Sequence, residues 1–392
     1  MSKSPIPCAL AAAAVACAAF SAHAADEEIR VGACQPITGR FAFAGVNINA
    51  GLQDYLNYAN EAGILKGKKF TYFYEDSGYD TEKAVATFKK IMAQYSPVMM
   101  YGESTGLGKA IGPELNSRYK VLYGSASFSS ELADPKSHPY SFVSGPTYSD
   151  MFGILLDYIA KNAKGKQKPK IALFYSDTEF GKDPIPFARK RAAELGIDVV
   201  ADIVTKVGAV DVTTEVLTLK KAQPDYVIFQ GYVLAPIPEV IRSAHDHGLK
   251  TTFMGTFWSM DKTIIDKLGQ DAEGYMGVNP YAYYYDDAPG IAAMRKYNER
   301  VHPAEKYRPN SYIQGWFTGM IYAETARRVL AAGKPITGDN LKDALATIKD
   351  WDTGGLSGKV SFVQNKAAVG RVYRANVQKG IFEPASDWIY LK

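Results

Sequence analysis

The sequence predicts an α/β protein built from two consecutive doubly wound parallel-sheet units, and three observations carry that prediction. From Ile29 onward, short β-branched and aromatic runs alternate with amphipathic helical windows, the rhythm of a parallel sheet covered by helices. After Val143-Ser144-Gly145-Pro146 a second series repeats the same order. The chain of 392 residues is 47% apolar and 22% charged, enough for two domains that each bury a core.

The first 26 residues, MSKSPIPCALAAAAVACAAFSAHAAD, set Lys3 before an Ala-rich run and offer Ala22-His23-Ala24 as a small-x-small cleavage site. This reads as a secretory signal peptide cleaved after Ala24, and hence a periplasmic protein. Ser21 and His23 interrupt a run that falls short of a bilayer span. Lipoprotein processing at Ala14-Val15-Ala16-Cys17 is the alternative; it lacks the usual leucine and leaves a very short apolar core. Cleavage removes Cys8 and Cys17 and leaves Cys34 alone, so neither an intramolecular disulfide nor a cysteine-built metal site is expected. Lys3 is the only charge before residue 25, so the formal net charge of +4 becomes +3. No basic tract suggests a nucleic-acid partner.

In the first series, EIRVGA, KKFTYFYED, SPVMMYG and KVLYGS read as strands, with helices over GVNINAGLQDYLNYANEAG and TEKAVATFKKIMAQ. Within Ala50 to Ala62, Leu52, Tyr55, Leu56 and Ala59 recur at helical spacing, while Gln53, Asp54 and Asn57 fall on the opposite face. In the second series, PKIALFYSD, DVVADIV, PDYVIFQG and TTFMG are strands; KDPIPFARKRAAELG, TTEVLTLKKAQ and PEVIRSAHDHG are helices. The C-terminal third breaks the rhythm. Helical windows over roughly Gly290 to Val301 and Ser311 to Ala332, then the strand-like GRVYRANVQKGIFEP, are expected to return and complete both units.

Gly102 to Ala110, GESTGLGKA, follows a strand and opens a helix, but Glu103 and Ala110 stand where a phosphate loop needs Gly and Ser or Thr. The same stretch holds Gly-x-Ser-x-Gly, the nucleophile elbow of serine hydrolases, with Ser104 as nucleophile. Such an enzyme needs a histidine base, and none of His138, His245, His247 and His302 lies in the last ninety or so residues. The preferred reading is a close-approaching turn whose hydroxyls face a cleft or cap the helix. His245 and His247 point to different sides of a helix, so no metal site is expected. Asp286-Asp287 reads as a helix-start turn. What remains is a set of strand-end turns rich in hydroxyls and aromatics: TGRFAFAG, GESTGLG, GSASFSSEL, YSDTEFGKD, FQGYV, GTFWSMD and NPYAYYYDD. Helix N-termini at the carboxyl ends of parallel strands suit a carboxylate, and aromatic walls cover an apolar body.

Taken together, Gly32 to Gly39 (GACQPITG), Gly45, Tyr74-Glu75-Asp76, Gly124-Ser125-Ala126-Ser127 with Glu131-Leu132, Tyr175-Ser176-Asp177 to Phe180-Gly181, Gly248-Leu249-Lys250 with Phe253-Met254-Gly255, and Ala272-Glu273-Gly274 form one pattern. Across the mature chain they resemble the periplasmic solute-binding proteins of branched-chain amino-acid-type ABC importers. The resemblance implies the type I periplasmic binding fold: two doubly wound lobes joined by three crossover segments, one of residues 25–145 plus 281–357, the other of 146–280 plus 358–392. It implies no enzyme and no cofactor, and a monomer that hands its ligand to an inner-membrane permease with ATPase subunits. By the same resemblance a ligand carboxylate is held by Ser104, Ser127, the backbone of Ser125 and Ala126, and Thr105. Phe43, Phe180, Tyr232 and Tyr281 to Tyr284, Tyr283 included, supply the walls.

The chain departs from that family twice. Ser77-Gly78 stands near where amino-acid binders often carry a disulfide. After Phe-Met-Gly those binders place an acidic residue that pairs with the ligand's ammonium, and Phe257 stands here. A buried ammonium without a carboxylate partner is costly. The expected ligand is therefore a hydrophobic carboxylate without an α-ammonium, an aromatic acid packed on Phe257 and Trp258. An amino acid or small amide is the alternative, with Asp177, Glu179 or aromatic faces taking the cation.

Overall fold

The computed structural model describes residues 28–163 and 168–391. The leader, its cleavage after Ala24 and processing at Cys17 lie outside the described residues. In the first lobe, strands β1 (Glu28–Gln35), β2 (Lys69–Asp76), β3 (Met99–Gly102), β4 (Leu122–Ser125) and β5 (Ser141–Val143) alternate with helices α1 (Ala42–Glu61), α2 (Thr81–Tyr95) and α3 (Thr105–Glu114). The strands lie parallel in the order β2-β1-β3-β4-β5. Every residue of β3 and β4 is buried, as expected of strands covered on both faces.

The second lobe repeats the plan. Helix α4 (Tyr148–Asn162) leads into β6 (Lys170–Ser176), the short turn α5 (Glu179–Lys182), α6 (Ile185–Glu194), β7 (Asp198–Thr205), α7 (Thr213–Ala222), β8 (Tyr226–Gln230), α8 (Ile237–Asp246), β9 (Thr252–Gly255), α9 (Thr263–Leu268) and β10 (Met276–Asn279). The order is β7-β6-β8-β9-β10, again parallel.

The C-terminal third serves both lobes. Helices α10 (Pro289–Val301), α11 (Asn310–Ala331) and α12 (Gly338–Leu345) return to the first. There α11 crosses α1 closely enough that a β-carbon on Gly51 would meet the Tyr312 carbonyl at 2.1 Å, and one on Gly315 the Ile48 carbonyl at 2.1 Å. That crossing also explains Asp54, placed by periodicity on the solvent face but buried. It accepts a hydrogen bond from the Tyr312 hydroxyl at 2.7 Å and lies 3.0 Å from His302 Nε2. Helical periodicity reports one face and cannot see a second helix packing on the other.

The strands β11 (Phe362–Val363) and β12 (Lys366–Ala367) extend the first sheet, Lys366 pairing with Val143 of β5. This differs from the expectation that everything after 358 joins the second lobe: the Val143 N–H donates to the Asn365 carbonyl, and the chain changes sheet only near Ala368. Strand β13 (Val369–Asn376) then pairs antiparallel with β10, β14 (Ile381–Pro384) and β15 (Ile389–Tyr390).

The lobes are thus joined by three crossovers, between β5 and α4, β10 and α10, and β12 and β13. The segments near them are tied together. Tyr281 donates from its hydroxyl to the Ser144 carbonyl at 2.9 Å, and Ser357 Oγ donates to the Pro280 carbonyl at 2.7 Å. This is the type I periplasmic binding fold.

Candidate functional site

The carboxyl ends of the two sheets face each other, and a small cavity between them is lined by Phe41, Tyr79, Glu103, Ser104, Thr105, Ala126 and Ser127 of the first lobe and Tyr148, Phe180, Tyr232 and Trp258 of the second. The first-lobe wall carries the polar groups, beside Phe41, Tyr79 and Ala126. Ser104 ends the strand-to-turn passage in extended backbone and caps α3, its Oγ accepting the Leu107 N–H at 3.1 Å. The hydroxyls of Thr105 and Ser127 lie 2.6 Å apart, and Ser127 Oγ also accepts the Ser129 N–H at 3.0 Å. Two hydroxyls sharing one hydrogen bond leave one O–H proton to offer, beside the positive end of α3.

Glu103 is the residue the sequence reading passed over. It is 2% exposed, and its Oε2 has no hydrogen-bond partner. Burial, then the nearby Asp76 carboxylate and Asp80, push its carboxyl up to about 8; the Tyr79 N–H and Lys83 act in the opposite sense. Partial desolvation opposes ionisation of Asp76, but donation from Thr38, Lys83 and the Gly78 N–H holds its carboxyl well below the usual carboxylate range. A buried carboxyl oxygen without a hydrogen-bond partner is costly.

The second-lobe wall is aromatic. Tyr148 opens α4 behind a capping box of Thr147 and Asp150, and its hydroxyl accepts the Trp258 indole N–H at 3.0 Å. Phe180 stacks on Tyr232 with centroids 4.9 Å apart. Trp258 sits on the 3₁₀ turn Phe257–Ser259 after β9. The lobes touch across the cleft: Phe41 meets Trp258 edge-on at 5.1 Å, and the hydroxyls of Tyr79 and Tyr232 lie 2.7 Å apart. Outside the cavity, Lys109 pairs with Glu179 at 3.0 Å, and Ser129 Oγ donates to Asp183. Tyr79 adopts φ of +59°, an uncommon conformation for a bulky residue. It is held there by stacking on Phe41 at 4.6 Å and by its contacts to Glu103 and Tyr232.

Of the residues expected at the site, Ser104, Thr105, Ala126, Ser127, Phe180, Tyr232 and Trp258 come together around this cavity. The others do not. Ser125 is buried beneath it, its Oγ accepting the Ser127 N–H. Phe43 and Phe257 line a neighbouring cavity. Tyr281 and Tyr283 are fully buried and spend their hydroxyls on the carbonyls of Ser144 and Met260, so they brace the crossovers. Phe41, Tyr79, Glu103 and Tyr148 were missed, although Phe41 and Glu103 lie inside two of the turns singled out. The alternative cation partners are also placed elsewhere: Asp177 pairs with Lys182 and Glu179 with Lys109, both on the surface.

Comparison with known proteins follows the same lines. The family model described as periplasmic binding protein matches residues 28–380. A Leu/Ile/Val-binding protein homolog of Brucella melitensis is 24% identical over 348 residues, covering 86% of this chain and 90% of the relative. The Leu/Ile/Val-binding protein of Escherichia coli K12 is 26% identical over 284 residues, 68% of this chain and 71% of the relative. Among solved structures, a branched-chain amino acid ABC transporter protein of Thermus thermophilus with bound valine superposes with a TM-score of 0.85 at 24% identity, covering 93% of this chain and 97% of its own. A fatty acid ABC transporter substrate-binding protein of Thermomonospora curvata superposes with a TM-score of 0.82 at 18% identity, covering 94% and 93%. On sequence and fold together, the chain belongs to the periplasmic binding protein family.

Proposed function

We propose that this protein is the substrate-binding component of an ABC importer, working as a monomer, and that it captures an amino acid between its lobes for delivery to an inner-membrane permease. The observation that carries the ligand class is Glu103, a residue of the cleft lining whose carboxyl oxygen Oε2 is buried without a hydrogen-bond partner. In this reading the ligand carboxylate is met by the Ser104, Thr105 and Ser127 hydroxyls at the start of α3, and the ammonium by Glu103 with Tyr79 and Tyr232 faces around it. The expectation of an acid without an amine rested on the absence of an anionic group near Phe257. Glu103 offers an acidic group on the opposite wall that position 257 does not report, and it favours the amino-acid alternative. The names of the relatives, which bind leucine, isoleucine and valine, support the same class.

Glu103, protonated below about pH 8 in the unliganded protein, must release its proton to pair with an ammonium. Amino-acid affinity therefore rises with pH toward about 8 and then levels off. A ligand with only a carboxylate would take a hydrogen bond from protonated Glu103, and its affinity would fall over the same range. Calorimetry with phenylalanine and 3-phenylpropanoate at pH 6 and pH 8 separates these outcomes. Tighter binding of the phenylpropanoate at both values would overturn the amino-acid reading.

A further inference from the structure

We propose that the Tyr79 and Tyr232 hydroxyls form an autoinhibitory bridge across the cleft, which holds its two walls together and must break before a ligand can lie between them. This rests on the reading that a ligand is captured between the lobes, and it adds what that ligand has to displace. The bridge joins one lobe to the other. Tyr79 stands on the turn between β2 and α2, Tyr232 on the segment between β8 and α8, and their hydroxyl oxygens are 2.7 Å apart. Phe41 packs beside them, stacked on Tyr79 at 4.6 Å and meeting the Tyr232 ring at 5.2 Å and the Trp258 ring at 5.1 Å. Two first-lobe rings thus rest directly on two second-lobe rings.

The space between the walls decides which way this contact acts. The cavity that these four rings help to line has a volume of ≈ 10 Å³, about one water molecule. A benzene ring alone fills about 150 Å³, and even a flat ring laid between two others adds a layer of about 3.5 Å. A molecule of amino-acid size therefore cannot share the cleft with walls this close. Once it parts them by such a layer, the two hydroxyls are beyond hydrogen-bonding distance. A contact made only while the ligand's place is closed competes with the ligand and lowers its apparent affinity. In a cleft with room for a ligand the same bond would act as a latch. Burial raises both hydroxyls, that of Tyr79 to about 12, so the bridge is uncharged and does not titrate where Glu103 does.

The test uses Tyr79→Phe, Tyr232→Phe and the double variant, which keep the rings and lose the bridge; melting curves without ligand check that each folds. Calorimetry with phenylalanine reads the competition. Each single variant is expected to bind about two- to tenfold tighter than the unmodified protein, the range set by one neutral hydrogen bond. The double variant is expected to gain no more than either single, because both substitutions remove the same bond. Small-angle scattering without ligand reads the bridge itself, and a larger radius of gyration is expected for the variants. Weaker binding by the single variants would make the pair a latch formed around the ligand, and unchanged binding would mean that the bridge holds no population; either overturns the proposal and leaves the amino-acid reading standing. If none of the four proteins binds phenylalanine, that reading falls and the scattering decides alone: a larger radius in the variants supports the bridge, and an unchanged one overturns it.

Discussion

The two walls of the cleft are made of different chemistry on supports of different kinds. The first lobe offers Glu103, Ser104, Thr105 and Ser127, at strand ends or the first turn of α3, beside Phe41, Tyr79 and Ala126. The second offers Tyr148, Phe180, Tyr232 and Trp258, of which Phe180, Tyr232 and Trp258 stand on turns between a strand and a helix. The difference teaches a division of labour. On the proposed function, a charged head group would be read by groups on the first sheet's edge and an apolar body covered by the rings of the second lobe.

Three substitutions test that division, in falling order of effect. Glu103→Gln on the polar wall is expected to weaken amino-acid binding by about 2–3 kcal/mol, the size of a hydrogen bond to a charged group, and to remove the rise of affinity between pH 6 and pH 8. Calorimetry across that range reads both, and an unchanged affinity would break the comparison at its polar end. Trp258→Ala on the aromatic wall should cost about 2 kcal/mol for every ligand, with or without an amine, as expected for loss of a buried aromatic anchor. A loss confined to amine-bearing ligands would mean that the indole reads charge, and the two walls would no longer be distinct. Lys109→Met removes an ion pair across the mouth whose partner Glu179 is 62% exposed. Solvent screening limits its effect to well under about 1 kcal/mol, measured as a small shift in affinity at low salt.

Legibility in the sequence followed the same contrast. Two repeating series of strands and helices were enough for the doubly wound lobes, because period and run length report burial directly. That Ser104, Thr105 and Ser127 gather at the cleft was legible because the turns at strand ends of such sheets face it. Glu103 was not: it stood in plain view as a mismatch to a phosphate loop, and nothing in the local sequence says that a strand-end carboxyl is buried without a partner. Tyr281 and Tyr283 misled in the opposite sense. An aromatic cluster after a strand reads equally as ligand wall or as packing, and only the hydroxyl partners, Ser144 and Met260, decide between them. Asp54 and the strand at Lys366 were hidden for a third reason, since each depends on a partner more than two hundred residues away.

The tight crossing of α1 over α11 at Gly51 and Gly315 reaches further than the stability of one lobe. Both helices begin at a cavity beside Trp258, with Phe43 and Asn47 in the first turns of α1 and Asn310 and Ser311 in the first turn of α11. The missing β-carbons therefore act as a gauge block: a methyl group at either glycine would prise the helices apart and reset the cavity's width. The geometry of that cavity is thus set in part at positions outside its lining.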